Sequence, residues 1–306
     1  MISVIITDYK SIEFTFDYIQ KMIEQFGKTN FHYIIVDNSE ECYGENYIKN
    51  KNLSYSSSVL NDIAYYKISF RETDIFLVVS QKNGGYAGGN NLGAKFSNLL
   101  FNDDYYLFSN NDLVYQNNFS FEKLLEIFEK KPQVGIVGPR INSPKGDIQS
   151  PRKILNFWKQ MVFQDYNYWW FGGKFRKYLS NIEFSEPEGA SGWISGSFML
   201  VRKLAFESCG GFDENIFLYC EEMIISERMR KVGFETYFQP TEKIIHYHRG
   251  ASGYSKIAEQ HQRQSMYYFY KTYYNVSSLS ILISDLSFKF CKMIYNFKKR
   301  MEKKIE

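Results

Sequence analysis

The sequence predicts an α/β fold with a mostly parallel central sheet and a helical C-terminal extension. Three observations predict it. Short apolar runs alternate with stretches of helical periodicity from the first residues to about residue 138. The chain opens strand, helix, strand, an order that calls for parallel neighbours joined by a right-handed crossover. Polar clusters close three of the runs (Asp37-Asn38, Asn83 to Asn91, and Asn110 to Asp112), and open α/β sheets hold their ligands beyond such carboxyl ends.

Residues 3–7 are a short apolar run, the mark of a buried strand. Residues 12–26 set Phe16, Ile19, Met22, Ile23 and Phe26 at helical spacing, and Gly27 stands where that helix would stop. Residues 32–36 make the second strand. Residues 40–73 are polar and rich in Tyr and Ser, a long connection with one helix near 45–49. Strands follow at 74–80, 105–109 and 134–138, with helices at 92–101 and 120–130. The stretch 143–190 is aromatic and basic, without clear periodicity. An apolar strand resumes at 193–202. Residues 217–233 read as a loop entering a helix that ends at Gly233, and 236–239 and 243–246 as short strands. From Ala258 onward the chain is helical. A domain over 1–255, in halves 1–140 and 141–255, and an extension over 256–306 follow from this order.

Composition narrows the class. The 306 residues carry 37 Lys+Arg against 34 Asp+Glu, with 44% hydrophobic and 23% charged residues, which is a globular balance with ample length for a core. Disordered, collagen-like and disulfide-scaffold chains are excluded. A net charge of +3 is too small to imply nucleic acid. It is also local: residues 286–306 hold seven Lys/Arg against two Glu, so the remainder is close to −2. The four cysteines are scattered without metal-ligand spacing, which fits a reducing compartment. No basic leader opens the chain and no run of about 18 apolar residues occurs, so a cytoplasmic protein is expected. The 18% aromatic fraction (25 Tyr, 27 Phe, 4 Trp) points to core and to wet apolar surfaces such as a groove or a membrane-facing side.

Three segments carry candidate chemistry. Four glycines within residues 84–89 would let backbone approach a ligand before a helix N-terminus, although a tight turn reads equally from glycines alone, and neither the dinucleotide fingerprint nor the phosphate-loop lysine pattern is present. Ser109-Asn110-Asn111-Asp112 closes a buried strand, so a carboxylate there can hold a hard divalent cation or cap a turn. Asp37 can accept hydrogen bonds from a nucleoside or serve as a turn residue.

Taken in order with Gly192-Trp193-Ile194-Ser195-Gly196, Gly210-Gly211-Phe212-Asp213-Glu214, Tyr219-Cys220-Glu221-Glu222 and His246-Tyr247-His248-Arg249-Gly250, these segments resemble the family 2 inverting glycosyltransferases of GT-A fold, in particular their rhamnosyltransferase-like branch. The resemblance covers about residues 1–255. It implies a Rossmann-like nucleotide-diphospho-sugar transferase fold, with 1–140 as the nucleotide-sugar half and 141–255 as the acceptor half. It implies donor contacts from Tyr9, Asp37, Asn83, Gly84, Gly88, Asn91, Asn111 and Trp193. It further implies a Mg²⁺ or Mn²⁺ ion held by Asp112, with Asn110, His246 and His248 beside it. Asn110 stands where the family often has an acid. The family's base is the second residue of a Glu-Asp pair, so Glu222 is the base and Glu221 the next candidate. The implied reaction moves a sugar, with rhamnose from dTDP-rhamnose preferred, onto a polysaccharide or lipid-linked oligosaccharide in bacterial surface glycan synthesis.

The basic, Phe- and Met-containing tail reads as an amphipathic helix on the inner face of the cell membrane, or as a helix packed on the domain or on a second subunit in a homodimer. Two other functions compete with sugar transfer. An α/β oxidoreductase lacks its dinucleotide fingerprint. A catalytically weak relative that binds glycan or partner chains is favoured only by Asn110 and Glu222 standing in place of the commoner acids.

Overall fold

The computed structural model describes residues 1–39, 43–163, 165–166, 188–247 and 256–305. The strands are β1 (Ile2–Asp8), β2 (Phe31–Asp37), β3 (Ser54–Leu60), β4 (Ile63–Phe70), β5 (Thr73–Val79), β6 (Tyr105–Ser109), β7 (Leu113–Tyr115), β8 (Val134–Asn142), β9 (Ile148–Ser150), β10 (Gly189–Ala190), β11 (Phe198–Arg202) and β12 (Glu235–His246). The helices are α1 (Ile12–Phe26), α2 (Tyr43–Asn50), α3 (Gly85–Leu100), α4 (Phe121–Lys130), α5 (Lys203–Ser208), α6 (Glu221–Lys231), α7 (Lys256–Tyr274) and α8 (Ser278–Ile305).

Among the described residues one sheet runs β10-β12-β8-β11-β6-β1-β2-β5-β4-β3, with β7 on β12 and β9 on β8. Its centre, β6-β1-β2-β5, is parallel, and β8 and β12 form a second parallel pair. Antiparallel β11 joins the two between β6 and β8. The expected fold class holds: a mixed α/β sheet, parallel in its core, with C-terminal helices. Alternation along β1 explains why both faces are dry. Val4 and Ile6 pack with Phe16, Ile19 and Leu124 of α1 and α4, while Ile5 packs with Ala94 and Phe96 of α3. A third apolar cluster joins Phe157 and Met161 to Met223 and Ile224 of α6 and Phe269 and Tyr270 of α7.

Several expectations are corrected. The connection 40–73 contains, besides the expected helix, a β-hairpin that extends the sheet. β3 is exposed on both faces, so it carries no alternation to be read. Its turn, Asn61-Asp62, has φ of 47° and 64°, and Arg71-Glu72 before β5 has 50° and 60°, the left-handed pair that tight hairpins use. The strand expected over 193–202 begins only at Phe198, and Trp193 instead bridges Arg152. The two short strands near 236–246 are one strand with a register shift between Gln239 and Lys243. β7 was not foreseen. Within 143–190, a π-helical turn at Lys159–Phe163 is described, and 164 and 167–187 lie outside the described residues.

The glycine segment is also corrected. It is the first two turns of α3 rather than a loop, because helix glycines here serve close packing. A Cβ at Gly89 would stand 2.4 Å from Thr7 Cγ2, one at Gly93 2.4 Å from Ile5 Cγ2, and one at Gly85 (φ +66°) 2.1 Å from the Phe217 carbonyl oxygen. A Cβ at Gly88 would meet nothing within 4 Å.

Candidate active site

The carboxyl ends of β1, β2 and β6 bring the first group of candidates together. Asp8 and Asp37 are register partners, and the Asn38 N–H donates to the Asp8 carbonyl. Asp37 is buried, and its two carboxylate oxygens accept from the N–H groups of Ser39 (3.0 Å) and Gly44 (2.6 Å). The Gly44 bond ties the end of β2 to the first turn of α2. Asn38 donates through Nδ2 to the Gly85 carbonyl (2.8 Å) and Asn83 Oδ1 (3.3 Å), and Asn83 Oδ1 also accepts the Gly85 N–H. Asn83 and Gly85 thus fasten the N-terminus of α3 to the end of β2, and Gly84 is the N-cap residue of that helix. Tyr9, half-exposed with Lys10 over its ring, stands beside this rim.

Two residues expected at the donor make hydrogen bonds within the protein. Asn111 donates through Nδ2 to Ser11 Oγ (2.9 Å) and Thr15 Oγ1 (2.8 Å), beside the buried Asp8 carboxylate, so it ties β6 to α1. Asn91 exchanges hydrogen bonds with the backbone of Phe212 and reaches Glu214 Oε1, stitching α3 to the 210–214 segment. Burial pushes the Asp8 carboxyl up against the opposing pull of its hydrogen bonds from Thr15 and Ser11.

Asp112 and His246 meet where the start of β7 pairs with the end of β12. His246 Nε2 lies 3.1 Å from Asp112 Oδ1 and 3.4 Å from Asn110 Nδ2, and both residues are buried. His246 Nδ1 lies 2.8 Å from Gln149 Oε1 on β9. A carbonyl oxygen can only accept, so Nδ1 donates to it and Nε2 is the nitrogen turned toward Asp112. The observation fits a divalent cation. Two donor atoms about 3 Å apart span one edge of an octahedron with bonds of about 2.1 Å, and an outer partner on the second ring nitrogen is what a metal-binding histidine requires. Among the described residues no group of three or more His, Cys, Asp or Glu could hold a metal ion. His248 lies outside the described residues.

The second group is linked to the first through the backbone of Asn110 and Ser197. The Asn110 N–H donates to the Ser197 carbonyl, next to Gly196. The Gly196 N–H donates to Glu222 Oε1 at 3.0 Å, and Tyr86 OH donates to the Gly196 carbonyl at 2.6 Å. Glu222, in the first turn of α6, is half-buried, and its other oxygen accepts no hydrogen bond among the described residues. Glu221 is buried, with Oε1 unpartnered among the described residues, and burial followed by the neighbouring Glu222 pushes its carboxyl up to about 8. It therefore keeps its proton at neutral pH and leaves Glu222 as the geometric candidate for a base. Tyr219 and Cys220 enter α6 with φ of 70° and 71°, a strained pair of non-glycine residues that aims the two glutamates. Trp193 has Arg152 stacked 5.3 Å from its ring, and its buried indole N–H has no partner among the described residues.

Sequence reasoning missed Asp8, Gln149 and Tyr86. Asp8 closes a strand as Asp37 does, and that signal was readable. Gln149 lies on a three-residue strand in the aperiodic segment, where no pattern marks it.

The sheet order, the strand-end acids and the glutamate at the head of α6 define a GT-A sugar-transferase fold, and this chain belongs to the glycosyltransferase-like family 2, whose family model matches residues 2–266. Particular relatives share parts of it. The chain is 28% identical over 152 residues to the N-acetylglucosaminyl-diphospho-decaprenol L-rhamnosyltransferase of Mycobacterium tuberculosis, covering 49% of each chain. It is 36% identical over 78 residues to the rhamnosyltransferase WbbL of Escherichia coli, covering 25% of this chain and 30% of that protein. It thus spans about half or less of the length of the curated relatives it matches. Among solved structures, GalNAc-T7 with UDP, GalNAc and Mn²⁺ superposes with a TM-score of 0.58 at 12% identity, covering 89% of this chain and 47% of that one. The mannosyltransferase PcManGT of Pyrobaculum calidifontis, with GDP-Man and Mn²⁺, gives 0.56 at 11% identity, covering 95% and 73%. These two likenesses speak for the fold.

Proposed function

We propose that the chain transfers a sugar from a nucleoside-diphosphate donor to an acceptor hydroxyl with inversion at the anomeric carbon. One observation carries the reading: Glu222 accepts the Gly196 N–H through one oxygen, and the adjacent Ser197 carbonyl accepts the Asn110 N–H, two residues before the Asp112 that meets His246. Glu222 takes the acceptor hydroxyl proton as that oxygen bonds to the anomeric carbon, and the bond to the diphosphate breaks. Asp112 and His246 would hold the cation, with Asn110 beside them, and a bound Mg²⁺ or Mn²⁺ supplies charge neutralisation at the departing diphosphate. An imidazole ligand favours Mn²⁺ over Mg²⁺. Residues 1–140 form the nucleotide-sugar half, with Tyr9 and Trp193 on the rim, and 141–255 the acceptor half.

The relatives named for rhamnose transfer favour dTDP-rhamnose as donor, and the decaprenol-linked substrate in one of those names favours a lipid-linked glycan acceptor. Such an acceptor places the reaction at a bacterial membrane face, with the chain peripheral to it. The test is nucleoside diphosphate release across a panel of donors with Mn²⁺. Release with one donor is expected, and Glu222→Gln should lower kcat by about 10²- to 10⁴-fold while donor affinity stays within about twofold. Absence of release with every donor would leave a glycan- or partner-binding module instead.

A further inference from the structure

The outer face of α8 carries an apolar stripe that is exposed among the described residues. Leu279, Leu282, Leu286, Phe290, Met293 and Phe297 are 66%, 53%, 56%, 49%, 60% and 65% exposed. Met301 continues the row. The steps are 3, 4, 4, 3, 4 and 4, two 11-residue repeats from 279 to 301. That is about 3.67 residues per turn, close to the 3.6 of a straight helix, so the stripe stays on one side over about 33 Å instead of winding round it. The opposite side is the one that packs inward. Ser284 and Cys291 are buried, Arg263 of α7 lies 3.9 Å from the Phe288 ring, and Ile281 packs on the third apolar cluster.

A straight, shallow apolar row suits a planar partner, and charge selects which one. Exposed Arg300 lies near the edge of the stripe, as does Lys289, which pairs with Asp285, and residues 286–306 carry seven Lys/Arg against two Glu, with Lys292 paired to Glu259 of α7. A second copy of α8 would bring the same positive excess against it, whereas an anionic lipid surface complements it. No helix among the described residues is long and apolar enough to cross a membrane. We propose that α8 lies flat on an anionic bilayer, its 279–301 stripe seated among the acyl chains and its basic residues at the headgroups. This deepens the peripheral-membrane reading above and rests on it for its use. Vesicle binding and nucleotide release are independent measurements, so either can fail alone.

The experiment is flotation of the full chain with vesicles of phosphatidylcholine alone or mixed with phosphatidylglycerol, alongside sedimentation without lipid. Binding to the anionic vesicles is expected, weakened by high salt. Leu286→Ser with Phe290→Ser should reduce it at least tenfold, and Arg300→Glu several-fold at low salt only. All three positions are exposed, so circular dichroism and nucleotide release to a water-soluble acceptor should be unchanged. Failure to float with anionic vesicles, or binding indifferent to the paired serines, would overturn the proposal. So would a lipid-free dimer that the paired serines dissociate, since the occupant would then be a second copy.

Discussion

Gly88 and Gly89 are adjacent on one turn of α3 and meet different surroundings, which separates packing from ligand approach at single-residue resolution. Gly89→Ala drives a Cβ into the Thr7 side chain and should cost about 1–3 kcal/mol in urea unfolding. Gly88→Ala meets open space, so it should stabilise the helix by up to about 1 kcal/mol and, if the donor passes there, weaken donor binding in a titration. Gln149 is a positioning residue at this scale. Its carbonyl oxygen fixes which nitrogen of His246 faces Asp112. Gln149→Leu should therefore weaken Mn²⁺ binding by about 10- to 100-fold, read directly by calorimetry. Neither role was visible in the sequence: the glycine run read as a loop because nothing in the pattern shows which strand a helix will cross.

At the scale of elements, α6 is where chemistry and stability meet. Its two glutamates stand in the first turn, where the helix dipole favours negative charge, yet Glu221 is buried deeply enough to hold its proton. With a folded value of about 8 against an ordinary 4.5, the folded state binds more protons than the unfolded one between those limits, so this group makes stability fall as pH rises through that window. Glu221→Gln removes the slope. The variant should gain on the wild type steadily from pH 5 to pH 8 in chemical denaturation. The hairpin β3–β4 teaches the complementary lesson about legibility. Asn61-Asp62 is a turn signal that could have been read, but β3, Ser-rich and exposed on both faces, offers no periodicity to flank it.

Across the whole molecule, the third apolar cluster couples the C-terminal helices to the candidate base. Met223 and Ile224 of α6, Phe269 and Tyr270 of α7 and, at its edge, Ile281 of α8 share it. Asp213 strengthens the same joint, accepting from Tyr268 and Tyr273 of α7. Burial opposes the charge on Asp213, but these hydrogen bonds and those from Asn215 hold its carboxyl below the usual value. Phe269→Ala empties a fully buried site and should cost about 3–5 kcal/mol in urea unfolding. The aromatic content finds its place here as well. Tyr33, Tyr106, Phe108, Phe198 and Phe238 are sheet core rather than groove.

The sequence by itself determined the α/β class, the parallel opening, the strand ends where the site lies and the glutamate pair at the head of α6. Those features are local: apolar periodicity fixes an element, and a polar residue closing a buried run fixes a strand end. Only the tertiary structure decided which polar side chains remain open to a ligand. Asp37, Asn91 and Asn111 are taken up by backbone and neighbouring side chains, while Glu222 keeps an oxygen free and His246 is turned toward Asp112 by Gln149. The physical reason is that a buried polar group must find a partner, and whether that partner is protein or ligand depends on residues brought close by the fold, as distant in sequence as 149 and 246.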